Sequence, residues 1–509
     1  MMKILKRILC LTLVVLMLLP LLVACTGGKE DKEGSALDLA LLEATMPDDG
    51  IGMRDYGGRT IRFLGWKEAC KNEFEIDEEE AQASESTLKQ ALYMRNEAVK
   101  GRLNVKLKWT YDNGCAGFEE AYVSKAKSLV TSQKVDVLTP YSRVGNMLMI
   151  QGYARDLKQL STIRLNDPWW SACFLENAGI NDRIYFAAGD MSWTLMGMTF
   201  AFCYNKNILK RTPGILDEFE VDSMYDLVMD GKWTIESMRK MATAVATNRT
   251  FGITGYTVAT DAFYKGCDLN WMEVDPSTGQ QIISEDQNSS KANTVVSTLT
   301  KLFNSSASAV RLQQDTTLET AVEGNDSNPI NPEWQKGRSL FVFNSIVSIT
   351  DYKFNELSFD FGVLPMPKYD EEQDGYRTVP DFEYSICIIP RQVSVEDAEI
   401  FGSVLTVLAS EGFMRTARAY YSETLKKQSS NSVEDYNMWD TIKKSIDLDG
   451  GRLFDWQIAG CSVWGNFRAA LANKEESLAG KWGSNGTMMV SDAEAMNQKM
   501  QALEAQYGN

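Results

Sequence analysis

The strongest constraint on the fold is a repeated switch of hydrophobic period between residues 59 and 153. "RTIRFLGW" (Arg59–Trp66), "NVKLKW" (104–109) and "VDVLTP" (135–140) read as strands. Between them apolar residues fall at helical spacing: Leu88, Ala91, Leu92 and Val99 within 86–102, then Phe118, Tyr122, Ala126 and Val130, then a third helix over 144–153. Strands alternating with helices predict βαβ units and a mainly parallel sheet. Ligands of such sheets sit outside the carboxyl ends of the strands, which puts Trp66 and Tyr141 at the expected mouth of this unit.

A second α/β unit follows. "RIYFAAGDMSWTLMGMTFAFCYNKNIL" (183–209) holds two strand-like runs around a Gly-Asp-Met-Ser-Trp break. Thr234 is a good N-cap for the helix in "GKWTIESMRKMATAV", with Glu236 in its first turn, where the helix dipole favours an acid. "FGITGY" and "GRSLFVFNS" are strands, residues 359–390 return to strands around an acidic turn, and the chain is helical from Val395 onward. The turn "DEEQDGYRTVPD" (370–381) has the acid spacing of a calcium loop. Its strand-like flanks, Pro380, and an aspartate in place of the final bidentate glutamate favour a charged hairpin turn, so no metal is expected.

Composition narrows the chemistry. The chain has no histidine among its 509 residues, which removes the usual general base, the commonest metal ligand and every Ser-His or Cys-His nucleophile. A formal charge of −17 argues against nucleic acid, whose binding rests on Lys and Arg neutralising phosphates. Nine cysteines without C-x-x-C spacing indicate neither a disulfide framework nor a zinc site. Lys3, Lys6 and Arg7 precede an apolar run that closes on "LLVACTGG" (21–28), the layout of a signal peptide over residues 1–24. The "LVAC" tail is similar to a bacterial lipobox, with Cys25 as the lipidated first residue of the mature protein. The polar spacer after it, within 25–57, suits a tether. That places the protein on the extracellular face of the cell membrane.

The order of elements, taken together, resembles the family-1 extracellular solute-binding proteins, the maltose-binding-like receptors of ABC importers. The matching pieces are "RIYFAAGD", "FCYNKNILKRT", "GKWTIESMRKMA", "FGITGY", "QKGRSLFVFN", "FDFGVLPMPKYDEEQDGY", "SICIIP" and "EDAEIFGSVLTVLASEGF", spread from about residue 59 to residue 413. The resemblance implies a type II periplasmic-binding-protein-like α/β fold: two lobes, each a mainly parallel sheet flanked by helices, with the ligand cleft between them. Mapped onto this sequence it implies lobe 1 at 58–187 plus 361–410 and lobe 2 at 199–350 plus 411–509. The hinge crossings would lie near 188–198 and 351–360. It further implies a carbohydrate ligand, an oligosaccharide first of all, an ABC permease as partner, a monomer, no cofactor and no catalysis.

A sugar presents apolar C–H faces and a rim of hydroxyls, so its receptor needs aromatic planes together with carboxylates or amides. The expected ligand set is Trp66, Tyr141, Asp190, Trp193, Trp271, Asn344, Asp381, Glu383 and Trp456. Each tryptophan has a competing role as a core residue. The alternative function is a surface-anchored glycoside hydrolase, since paired Asp/Glu chemistry needs no histidine and Asp190 and Glu383 are available for it.

Overall fold

The computed structural model describes residues 48–67, 73–115, 117–305, 310–313, 332–350, 357–426, 433–457 and 464–507. Among the described residues the strands, in chain order, are β1 (Arg59–Trp66), β2 (Val105–Asp112), β3 (Val137–Thr139), β4 (Phe200–Asn205), β5 (Phe251–Tyr256), β6 (Met272–Val274), β7 (Gln281–Ile283), β8 (Val310–Gln313), β9 (Ser339–Ser345) and β10 (Phe361–Leu364).

The first sheet has the order β2-β1-β3, all parallel. Its helices are set by local chemistry. Ser86 accepts from the Lys89 amide to start the helix Thr87–Leu103, which runs through Gly101 and stops where Asn104 turns left-handed at φ 45°. From Phe63 to Trp66 every residue of β1 is buried, as befits a parallel strand covered on both faces. Single antiparallel bridges extend this sheet: Leu138 to Ile388, Tyr141 to Ser385, and Cys387 to Ala187.

The second sheet has the order β10-β4-β9-β5-β8, with β5 parallel to β8 and β9, and β4 antiparallel to β9 and β10. Thr234 caps the helix Ile235–Val245 through a capping box shared with Ser237. Phe202, Phe341 and Phe343 of the sheet pack edge-on or stacked with Trp233 and Phe263 beneath.

Two lengths of chain join the sheets side by side. One leaves the first sheet at Ala187 and enters the second at Phe200. The other pairs with the second sheet's edge, where the Phe200 amide donates to Val379 O (3.1 Å) and the Asp381 amide to Met198 O (2.7 Å), and reaches the first sheet at Ser385.

This corrects the expected second crossing. Phe361–Leu364 pairs with β4 and belongs to the second sheet, so the passage lies between 381 and 385 and not near 351–360. A four-residue apolar run has no period that names its partner. The assignment of 411–509 to one lobe also fails. The helix Ala417–Lys426 packs on Thr87–Leu103 of the first unit, whereas Gly450–Leu453 packs on β6 of the second-sheet unit. The last helix, Ala479–Tyr507, lies on β7, and its Glu504 accepts from Tyr185 Oη at 2.6 Å. Among the described residues no helix is long and apolar enough to cross a membrane.

Candidate functional site

The two passages bring the carboxyl edge of the first sheet against residues of the C-terminal region. Trp66 ends β1 and is 5% exposed; its Nε1 donates to Ser385 Oγ at 2.7 Å, and its ring tilts against Tyr141 at 5.2 Å. Burial pushes the Tyr141 hydroxyl well above the ordinary phenol range. At the next residue, Ser142 Oγ donates to the carbonyl of Phe382.

Phe382 is the hub of the site. The Arg452 guanidinium lies 3.8 Å from its ring centroid, that of Arg143 lies 4.8 Å away, and the Trp464 ring packs at 5.5 Å. Each guanidinium is held from behind by a buried acid. Arg452 Nη1 donates to Asp261 Oδ2 (3.0 Å), Arg468 donates to both Asp261 oxygens (3.1 and 2.6 Å), and Arg143 Nη2 donates to Asp455 Oδ2 (2.6 Å). The Asp261 and Asp455 side chains are 0% and 1% exposed, while those of Arg143 and Arg468 are 24% and 21% exposed. Arg143 and Arg468 therefore face outward, whereas Arg452, 5% exposed, and the acids do not. Arg468 also stacks on half-buried Trp464 at 4.4 Å.

Asp381 and Glu383 flank Phe382, both partly exposed. Asp381 Oδ1 accepts from the Phe382 amide (2.7 Å) and stands 3.8 Å from Arg452 Nη2. Burial raises its carboxyl above the usual range, against the pull of Arg452. The strip thus offers the half-buried Trp464 ring, the Arg143 and Arg468 guanidinium edges and two carboxylates to a polar solute, with Phe382, 7% exposed, packed beneath them.

The other expected site residues are dispersed. Asp190 and Trp193 belong to a separate group with the C-terminal helices: Asp190 Oδ2 is 3.6 Å from Lys443 Nζ, and Trp193 stacks on Tyr420 at 5.1 Å. Burial raises the Asp190 carboxyl, with Lys443 opposing. A Cβ on Gly412 would stand 1.9 Å from the Asp190 carbonyl oxygen, so only glycine lets the π-turn Gly412–Thr416 approach this closely. Asn344 is 2% exposed in β9, and its Nδ2 has no hydrogen-bond partner among the described residues. Trp271 must be corrected to a core residue. It is fully buried and stacked on Tyr264 at 4.9 Å, and a ring with no exposed surface offers no face to a solute. The side chain of Trp456 and the whole of Cys25 lie outside the described residues.

The loop 370–381 is closed by its own side chains. Gln373 reaches the Gly266 and Gly375 carbonyls, and Lys368 Nζ donates to the carbonyls of Glu371 and Gln373. Arg143, Arg452 and Arg468 escaped sequence reasoning. Their partners lie far along the chain, and an arginine in a helical stretch reads as a solvated face.

No family model and no curated protein matches the chain. Solved structures do. A cyclo/maltodextrin-binding protein complexed with maltotetraose aligns with 89% of this chain and 100% of its own at 12% identity, with a TM-score of 0.50. The galacto-N-biose-/lacto-N-biose I-binding protein of an ABC transporter from Bifidobacterium longum covers 88% of this chain and 98% of its own at 11% identity, with a TM-score of 0.49. A family 1 extracellular solute-binding protein from Bifidobacterium longum subsp. infantis covers 88% and 100% at 15% identity, with a TM-score of 0.48. At such identities the likeness is one of fold: the chain has the two-lobed architecture of the maltodextrin-binding structure.

Proposed function

We propose that this chain is a family-1 solute-binding protein of an ABC importer, a receptor that takes a carbohydrate between its two lobes and delivers it to a permease. The observation that carries the reading is the strip around Phe382. There two carboxylates of the passage between the sheets stand with the half-buried Trp464 ring and the outward-facing guanidiniums of Arg143 and Arg468 beside the ends of β1 and β3. Those are the group types that cover sugar C–H faces and pair with hydroxyls. The shared fold with a maltodextrin-binding protein supports the ligand class.

A hinge function fits two passages that run side by side, since a few residues there can absorb the change in angle. In this reading Trp66, Tyr141, Asp381, Glu383 and Trp464 form the ligand-facing set, and Asp190 and Trp193 extend it. The hydrolase alternative loses support because Asp190 is engaged by Lys443 and does not stand free on a fixed wall. Cys25 carries the lipid that holds the receptor at the outer face of the membrane.

The test is a thermal-shift screen of the protein from residue 26 onward against mono- and oligosaccharides, with product analysis of each sample. A sugar at one hundred times its Kd adds about 2.7 kcal/mol to stability, a readily visible shift. A shift without new reducing ends supports the receptor. Released product makes it an enzyme, and no shift with any sugar overturns the carbohydrate reading. In cells, Cys25→Ala should move the full chain from the membrane to the soluble fraction while keeping the sugar-dependent shift; continued sedimentation with membranes contradicts the anchor.

A further inference from the structure

Just past β1 a glutamate is buried at the point where both passages leave the first sheet. Glu73 is 6% exposed. Its Oε1 accepts from Ser192 Oγ and, at 2.9 Å, from Thr194 Oγ1, both on the first passage. The second passage reaches this carboxylate through Thr194. Ser192 Oγ and Thr194 Oγ1 are 2.7 Å apart, and the Ser385 amide donates to Thr194 Oγ1 at 3.3 Å. The positive charge is supplied by Arg95, whose side chain is fully buried. It donates to Met191 O (2.7 Å), again on the first passage, and to Phe74 O (2.8 Å). Ser385 Oγ in turn accepts the Trp66 indole N–H.

We propose that Glu73 is a positioning residue, a buried pin that locks the first-sheet halves of both passages into one rigid piece and, through Ser385, orients the Trp66 indole. A buried carboxylate is tolerated only while its hydrogen bonds are made; two hydroxyls of the first passage make them here, and one of them, Thr194 Oγ1, also holds the Ser385 amide of the second. Ser192 and Thr194 therefore cannot leave Glu73 without exposing an unsatisfied charge, and Ser385 is held to Thr194 through its amide. Any change in the angle between the lobes is absorbed beyond the pin, at 195–199 and 380–382, next to Phe382 and the candidate ligand strip. Burial raises the Glu73 carboxyl above the usual range, with the neighbouring hydroxyls and Arg95 opposing it, so the charge depends on those partners. What this means for a solute rests on the receptor reading; the pin itself does not.

The test needs no ligand, so its failure is distinct from a failure to bind carbohydrate. Near-ultraviolet circular dichroism of the wild-type chain minus that of Trp66→Phe defines the Trp66 band. Glu73→Gln keeps the side-chain shape but removes the charge and one acceptor. Ser385→Ala leaves the charge in place and cuts the relay, so it carries the test if Glu73→Gln does not fold. Each variant should lose most of the Trp66 band when residue 66 is Trp and change the spectrum little further in the Trp66→Phe background. Equal spectral changes in both backgrounds, or an unchanged band in Ser385→Ala, overturn the proposal.

Discussion

Replacing Asp261 by alanine should cost about 3–5 kcal/mol of folding stability, the usual consequence of removing one side of a buried ion pair. Asp261 opens the helix Asp261–Gly266 just after β5 and is fully buried. It accepts from Arg452, itself 5% exposed, and from both faces of the Arg468 fork. Without it two guanidiniums remain, and the enclosed one, Arg452, cannot recover its hydration. Arg452 would also lose the contact that aims it at Phe382, so the ligand strip should loosen with the fold. Asp261→Asn keeps one acceptor and should cost less. Urea denaturation reads the effect, and a loss below about 1 kcal/mol would mean that water reaches the pair and screens it.

Trp271→Ala should destabilise the protein by about 3–5 kcal/mol and leave carbohydrate affinity of the folded fraction unchanged. The ring is buried against Tyr264, and a Cβ on Gly451 would stand 2.5 Å from Trp271 Cβ, so the surrounding chain already sits tight on this side chain. Its backbone amide donates to Asp449 Oδ2 at 2.9 Å, which fixes the backbone and leaves little freedom to fill the void. Denaturant melts with calorimetric titration separate the roles. Weaker sugar binding at unchanged stability would return Trp271 to the ligand set.

These two residues show where sequence reasoning reached and where it stopped. Local chemistry was readable: β1 begins and ends at Arg59 and Trp66 as its alternation indicates, and Thr234 caps the helix that follows it. The α/β class followed from the changes of period. Long-range partnership left no such mark. Arg452 and Asp261 are 191 positions apart, and Glu73 is 119 from Ser192.

Trp66 and Trp271 look equivalent in sequence, each beside a strand-like run. The first hydrogen-bonds Ser385 at the meeting of the passages, and the second is enclosed by Tyr264 and Gly451. Burial of an aromatic depends on what the fold lays over it, which no local pattern encodes. The same holds for β10, whose four apolar residues would suit either sheet. Only the register Phe361 to Asn205 assigns it.

The central claim is that two lobes joined by the passages at 187–200 and 378–388 close on a carbohydrate. Small-angle scattering of the protein from residue 26 onward tests it most directly, using the sugar that stabilises it best at a concentration that calorimetry shows to be saturating. A ligand that touches both lobes favours the closed state by its differential affinity, so the radius of gyration and the maximum dimension should both fall. An identical scattering profile with and without saturating sugar would contradict the account.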